Sequence, residues 1–238
     1  MDKSAAGSYI YAKASGILGK SFTNQRANLL FEARSLTDLW SLLFKTNPPA
    51  VPEMLLAEEI EKEAFKRFID QYTYFVSLYD KPDTILIDQL CIYESENLKE
   101  VAYVLNSGKT ICPHLIDLGK FSQLNYKAWP DIAAITKGSP YSWYNHVPDF
   151  HEQQQMEFKI NIQVIRHFWD SLQKIKGEDR VALEKLYLNE YQVKNIIWAL
   201  RLKINYKWDN EKIIKNLIYV TDSPNASDPL AAPAIQVL

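Results

Sequence analysis

Between residues 52 and 79 the apolar side chains Leu56, Ile60, Ala64, Phe68, Tyr72, Val76 and Tyr79 follow one another in steps of four and three. That spacing keeps a stripe on one face of an α-helix. A strand cannot present it, because its faces alternate with a period of two. Pro52 suits the first helical turn, and Glu53 beside it meets the positive end of the helix dipole. Asp80-Lys81-Pro82 ends the segment. Asp83 is placed to cap a second helix that carries Leu86, Leu90, Tyr93, Asn97, Val101 and Val104 along one face and stops at Asn106-Ser107-Gly108. The pattern predicts a helical hairpin over 53–105.

The second half repeats the design. Pro148-Asp149 opens a segment with Phe158, Ile162, Ile165, Trp169 and Leu172. Lys176-Gly177 breaks it, and Asp179 is placed to cap a helix running to about Tyr206. Individual residues match as well. Val51-Pro52-Glu53 pairs with Val147-Pro148-Asp149, Tyr93 and Asn97 with Tyr191 and Asn195, Asp38-Leu39 and Leu42 with Asp131-Ile132 and Ile135, and Leu18-Gly19-Lys20 with Leu118-Gly119-Lys120. Four pairs in the same order, at offsets of about 93–100 residues, indicate an internal duplication. The expected organisation is a first helical lobe over 1–110, a second over 111–215, and a tail over 216–238. The tail begins as the loop Thr221–Pro229 and continues as the apolar Leu230–Leu238. It is expected to start a third unit and, with that unit missing, to lie loose or against a neighbouring molecule.

Composition agrees with an all-α chain. Seven glycines among 238 residues is about 3%, against a usual ~7%, which disfavours glycine-rich nucleotide folds. The 27 Lys and Arg against 29 Asp and Glu exclude a nucleic-acid binder driven by bulk charge. No apolar run approaches the ~18 residues of a membrane span, and Met1-Asp2-Lys3-Ser4 does not open a signal peptide, so a soluble, cytoplasmic chain is expected. Cys91 and Cys112 are too few for a disulfide framework or a metal knuckle and read as small core thiols.

Chemistry-bearing motifs are sparse. Ala14-Ser15-Gly16-Ile17-Leu18-Gly19-Lys20-Ser21 fits a relaxed phosphate loop, with a Walker-B-like Thr84-Ile85-Leu86-Ile87-Asp88 further on, and together they would make a nucleotide hydrolase. Such a loop must follow a buried parallel strand, whereas Tyr9–Ala14 is short and carries Lys13, and Ile85–Asp88 runs on into helical periodicity. A helix bend at Gly16 and Gly19 is the expected reading. His114, His146, His151 and His167 lack ligand spacing, although His146 and His151 flank a helix start. Glu58-Glu59 with Lys62 and Lys66 reads as a solvated helix face. No serine nucleophile turn is present. The repeated asparagine is different. Asn97 and Asn195 each lie on an apolar stripe, with tyrosine at −4 and apolar residues at +4 and +7. A buried amide must find partners, so each is expected to fix helix register within its unit.

At these residues the chain resembles the C-type connector of the bacterial and archaeal V/A-type rotary ATPases, known as the d-type connector in eukaryotes. The resemblance sits in Tyr9–Ala14, Leu36–Leu43, Tyr93–Lys99 and Glu190–Lys203, where an acidic residue, Asn-Leu/Ile and a Leu-Arg-x-Lys run recur. Tyr93, Asn97, Tyr191, Asn195, Arg201 and Lys203 form the repeated structural motif. The first copy departs from it, reading Tyr103-Val104-Leu105 where Leu-Arg is common. The resemblance implies an all-α fold of three similar lobes, funnel-like with pseudo-threefold symmetry, of which two and a tail are visible. It also implies a non-catalytic central-stalk component of an ion pump, with no cofactor. Its partners would be the rotor shaft of the soluble motor and the membrane rotor ring, at the inner face of the membrane. The alternatives are the nucleotide hydrolase above or an unrelated helical-repeat scaffold that binds peptides or proteins.

Overall fold

The computed structural model describes residues 1–149 and 151–238. Among them every regular element is helical. The chain divides into two compact units, Met1–Pro82 with Asp117–Gly119, and Asp83–Ile116 with Lys120–Leu238. The division at 82/83 falls inside the expected hairpin over 53–105, so its two helices are described with their own units.

The first unit contains α1 (Lys3–Lys20), α2 (Asn28–Glu32), α3 (Leu36–Phe44) and α4 (Glu53–Ser77). α3 starts because the Ser35 hydroxyl accepts the Asp38 N–H at 3.1 Å while the Asp38 carboxylate reaches back to the Arg34 N–H at 3.3 Å. It is a short relative of the capping box. Trp40 and Phe44 then pack edge to face and cluster with Leu56 and Ile60 of α4. The solvated face of α4 carries the expected ion pairs, Lys62 with Glu58 at 2.7 Å and with Glu59 at 3.1 Å.

α1 corrects the phosphate-loop alternative. The helix runs without interruption through Gly16 and Gly19, neither of which has a positive φ, and it does not end until Lys20. The Ser21 hydroxyl donates back to the Leu18 carbonyl at 2.6 Å. The N–H groups that a phosphate loop would aim at a ligand are therefore committed to the helix. The Walker-B-like Asp88 is likewise buried inside a helix, where it accepts the Ser171 hydroxyl.

The second unit contains α5 (Thr84–Asn106), α6 (Ile132–Thr136), α7 (Gln153–Lys174), α8 (Gly177–Ile204), α9 (Asn210–Lys215) and α10 (Ala232–Gln236). α5 ends in a Schellman arrangement. Gly108 takes φ +71°, its N–H reaches the Leu105 carbonyl and the Lys109 N–H reaches Val104. α7 and α8 form the expected second hairpin, with two shifts at their starts. Asp149 accepts the His151 and Glu152 N–H groups at 2.7 and 2.9 Å, which makes a turn ahead of the helix, so α7 begins at Gln153 and not at Pro148-Asp149. α8 begins at Gly177 itself, which places Asp179 in the first turn and not at the cap.

α7 packs against both α5 and α8. Leu98, Val101 and Ala102 of α5 share a core with Ile160 and Val164 of α7, closed by Ile132 and Ile135 of α6. Asp88 with Ser171 and Lys99 with Asn161 fix α5 and α7 antiparallel. A second core joins Ala199 and Leu202 of α8 to Ile213 of α9, Leu217, Ala231 and Ala234 of α10.

That second core corrects the expectation of a loose tail. Leu230, Ala231 and Ala234 are fully buried. The apolar run is held by α8, which belongs to the preceding hairpin. Two of the repeat pairings also change. The caps of α3 and α6 are Ser35 and Asp131, which the Asp38/Asp131 pairing misses. Gly19 is helical whereas Gly119 takes φ +55° in a tight turn, so the Leu-Gly-Lys pair is not a structural repeat. Cys91 is half-buried, but Cys112 is exposed beside Ile111 in the loop after α5 and is not a core thiol.

Candidate functional site

Asn97 on α5 and Asn195 on α8 are both buried, and they do the same thing. The Asn97 Nδ2 donates to the Ile116 carbonyl at 2.8 Å, and its Oδ1 accepts the Ile116 N–H at 2.8 Å. One side-chain amide thereby satisfies both polar groups of one backbone residue, as a neighbouring strand would. The Asn195 Nδ2 donates to the Ile218 carbonyl at 2.7 Å and its Oδ1 accepts the Ile218 N–H at 2.7 Å. Its second amide hydrogen reaches the Leu230 carbonyl at 2.8 Å. Each asparagine thus clamps an extended segment that returns past the end of its own helix.

Around each clamp a carboxylate gathers loop N–H groups. Glu94, one turn before Asn97, is fully buried; its Oε1 accepts the Ser122 hydroxyl at 2.5 Å, the Gln123 N–H at 2.8 Å and the Leu124 N–H at 3.1 Å. At the second clamp the residue one turn before the asparagine is Gln192, which donates to the Pro229 carbonyl at 2.9 Å. The carboxylate there is Asp228. Its two oxygens accept the N–H groups of Val220, Thr221, Leu230 and Ala231, all at 2.9 Å, and the Thr221 hydroxyl at 2.8 Å. Burial pushes the Asp228 carboxyl up, but the donors from Thr221, Ala231 and Val220 together outweigh it and hold the group below the ordinary carboxylate value.

Of the other motif residues, Tyr191 is buried and Tyr93 half-buried, and burial pushes both phenols up. Tyr191 stacks against Tyr187, whose hydroxyl donates to Gln89 of α5 at 2.7 Å. Arg201 and Lys203 are exposed near the end of α8. Arg201 lines a groove of about 480 Å³ with Phe158, Asn161, Ile197 and Trp198, and Lys203 bonds the Asn210 side chain. The tyrosines and asparagines therefore belong to the packed interior while the two cations do not join them. Glu94 and Asp228 escape the sequence reading as individual sites. Glu94 could have been found as a carboxylate one turn from Asn97 on the same buried face; Asp228 sits in a polar loop that gives no periodic signal.

Among the described residues, no group of three or more His, Cys, Asp or Glu side chains is arranged to hold a metal ion, and no helix is long and apolar enough to cross a membrane. His146 meets Glu152 at 3.3 Å on the surface.

Repeated hairpins joined by amide clamps define a helical scaffold in which the buried polar groups hold backbone. The chain belongs to the ATP synthase (C/AC39) subunit family, whose model matches residues 10–223; this is the family of the C-type, or d-type, connector of the V/A-type ATPases. An uncharacterized protein of Treponema pallidum (strain Nichols) is 28% identical over 207 residues, which covers 87% of this chain and 60% of that relative's length. No solved structure matches the chain.

Proposed function

We propose that the chain is a non-catalytic central-stalk component that couples the rotor shaft of the soluble motor to the membrane ion-translocating ring, at the cytoplasmic face of the membrane. Family membership over residues 10–223 carries this reading. The clamps support it: Asn97, Glu94, Asn195 and Asp228 bury strong hydrogen-bonding groups to fix loop backbone, which is what a torque-bearing element needs from its interior. In this reading residues 1–110 and 111–215 are successive lobes of a funnel with pseudo-threefold symmetry, and 216–238 lead into a third. The spacing favours it, since α6 starts 35 residues after Asn97 and α10 starts 37 after Asn195.

The test is binding of the chain to isolated rotor shaft proteins of its motor, measured beside calorimetry with Mg-ATP. The reading expects saturable shaft binding and no nucleotide heat in the native chain or in Lys20→Ala. Nucleotide binding that Lys20→Ala abolishes, without shaft binding, would overturn it.

A further inference from the structure

The two clamped helices differ on one face. Aligning Asn97 with Asn195 sets α8 against α5 at an offset of 98 residues, so Leu186, Val193 and Leu200 correspond to Asp88, Ser95 and Ala102. On α5 those positions are 7%, 2% and 3% exposed. The antiparallel α7 covers this side of the helix, with Ser171 donating to Asp88 and Ala102 sharing a core with Ile160 and Val164. On α8 the corresponding Leu186, Val193 and Leu200 are 59%, 53% and 44% exposed, and Ile197 and Ile204 extend the same stripe at 53% and 58%. The steps of seven and four place all five within one narrow face. A contiguous apolar stripe of this kind on a folded chain marks an interaction surface. Its borders are cationic: Lys194 and Arg201 lie on one side, Lys185 and Lys203 on the other, with Glu190 the one acid among them. The groove of about 480 Å³ lined by Ile197, Trp198 and Arg201 continues the stripe towards α7.

We propose that the outer face of α8 seats an amphipathic α-helix, antiparallel to it, in the position that α7 takes on α5, supplied by the leading helix of a further hairpin of the same repeat. The occupant carries an apolar stripe at heptad spacing to meet Leu186, Val193, Ile197, Leu200 and Ile204, and carboxylates on both flanks to meet the four cations. Apolar residues replace Asp88 and Ser95 of the first copy at this face, so the second junction relies on packing where the first also uses a buried hydroxyl–carboxylate bond. The inference rests on the repeat and not on the rotary reading.

The test uses the whole chain and two fluorescent synthetic helical peptides of about 21 residues, or three heptads. Both carry Leu and Ile at the stripe positions; one has Glu on its flanks and the other Lys. Fluorescence anisotropy is expected to show saturable binding of the Glu-flanked peptide and at least tenfold weaker binding of the Lys-flanked one. Val193→Gln with Leu200→Gln, which preserves helix propensity, is expected to weaken the Glu-flanked peptide about tenfold or more, while Val181→Gln, exposed but off the stripe, leaves it unchanged. No binding to the native chain, equal affinity for the two peptides, or undiminished binding to the double variant with unchanged circular dichroism would overturn the proposal. Because shaft binding is a separate readout, failure here leaves the rotary reading standing, and the converse holds.

Discussion

The loop after α5 and the loop after α8 are held by the same amide geometry and by different anions. At the first clamp the carboxylate comes from the helix, as Glu94, and reaches out to Ser122, Gln123 and Leu124. At the second the helix offers a neutral amide, Gln192, and the loop brings its own carboxylate, Asp228, folded back on Val220, Thr221, Leu230 and Ala231. A returning segment has more N–H groups than a single asparagine can accept, and buried N–H groups need partners. The comparison shows that the acceptor is required while its position in the chain is free, as long as the asparagine fixes the register.

The largest effect is expected where the anion is most deeply buried. Glu94→Leu leaves one hydroxyl and two backbone N–H groups without an acceptor and should cost about 3–5 kcal/mol in urea unfolding, with Glu94→Gln losing less because one oxygen remains. If Glu94→Leu is neutral, the loop is not held by that carboxylate and the comparison collapses. Next come the asparagines. Asn195→Leu breaks three hydrogen bonds and Asn97→Leu two, so costs of about 3 and about 2 kcal/mol are expected in that order. The reverse order would mean that the Leu230 bond contributes nothing.

Asp228 adds a pH signature. Its folded-state pKa is lowered, so its contribution is fully present above the unfolded value of ~3.9 and is lost as the pH falls through the folded value. Asp228→Asn should therefore cost about 1–2 kcal/mol at pH 7, and the gap to the native chain should close in acid. A gap that is constant from pH 7 to about pH 3 would show that the charge is immaterial. The smallest effect is expected from Gln192→Glu, which gives the second helix the first helix's residue. It removes the donor to Pro229 and should cost about 1 kcal/mol.

Much of this arrangement was legible in the sequence, and the physical reason is periodicity. The stripe from Leu56 to Val76 fixes α4, and the asparagines betray themselves as amides on apolar faces. Helix starts were less legible, because Asp149 and Asp179 look like caps by type while the turn at 149–152 and the left-handed Gly177 decide the position. The partners of the asparagines could not be read at all. Ile116 and Ile218 lie 19 and 23 residues downstream in segments without periodicity, and only the fold brings them back. The same non-local closure hides why Leu230–Leu238 is apolar: its core is α8.

The central claim is that each asparagine holds one returning segment, independently of the other. Backbone hydrogen exchange at Ile116 and Ile218 tests it most directly, in the native chain and in Asn97→Ala and Asn195→Ala. Asn97→Ala should deprotect Ile116 and the 122–124 loop while Ile218 exchanges as in the native chain. Asn195→Ala should deprotect Ile218 and its neighbours while Ile116 is unaffected. Loss of protection at both sites in either variant, or at neither, would contradict the account.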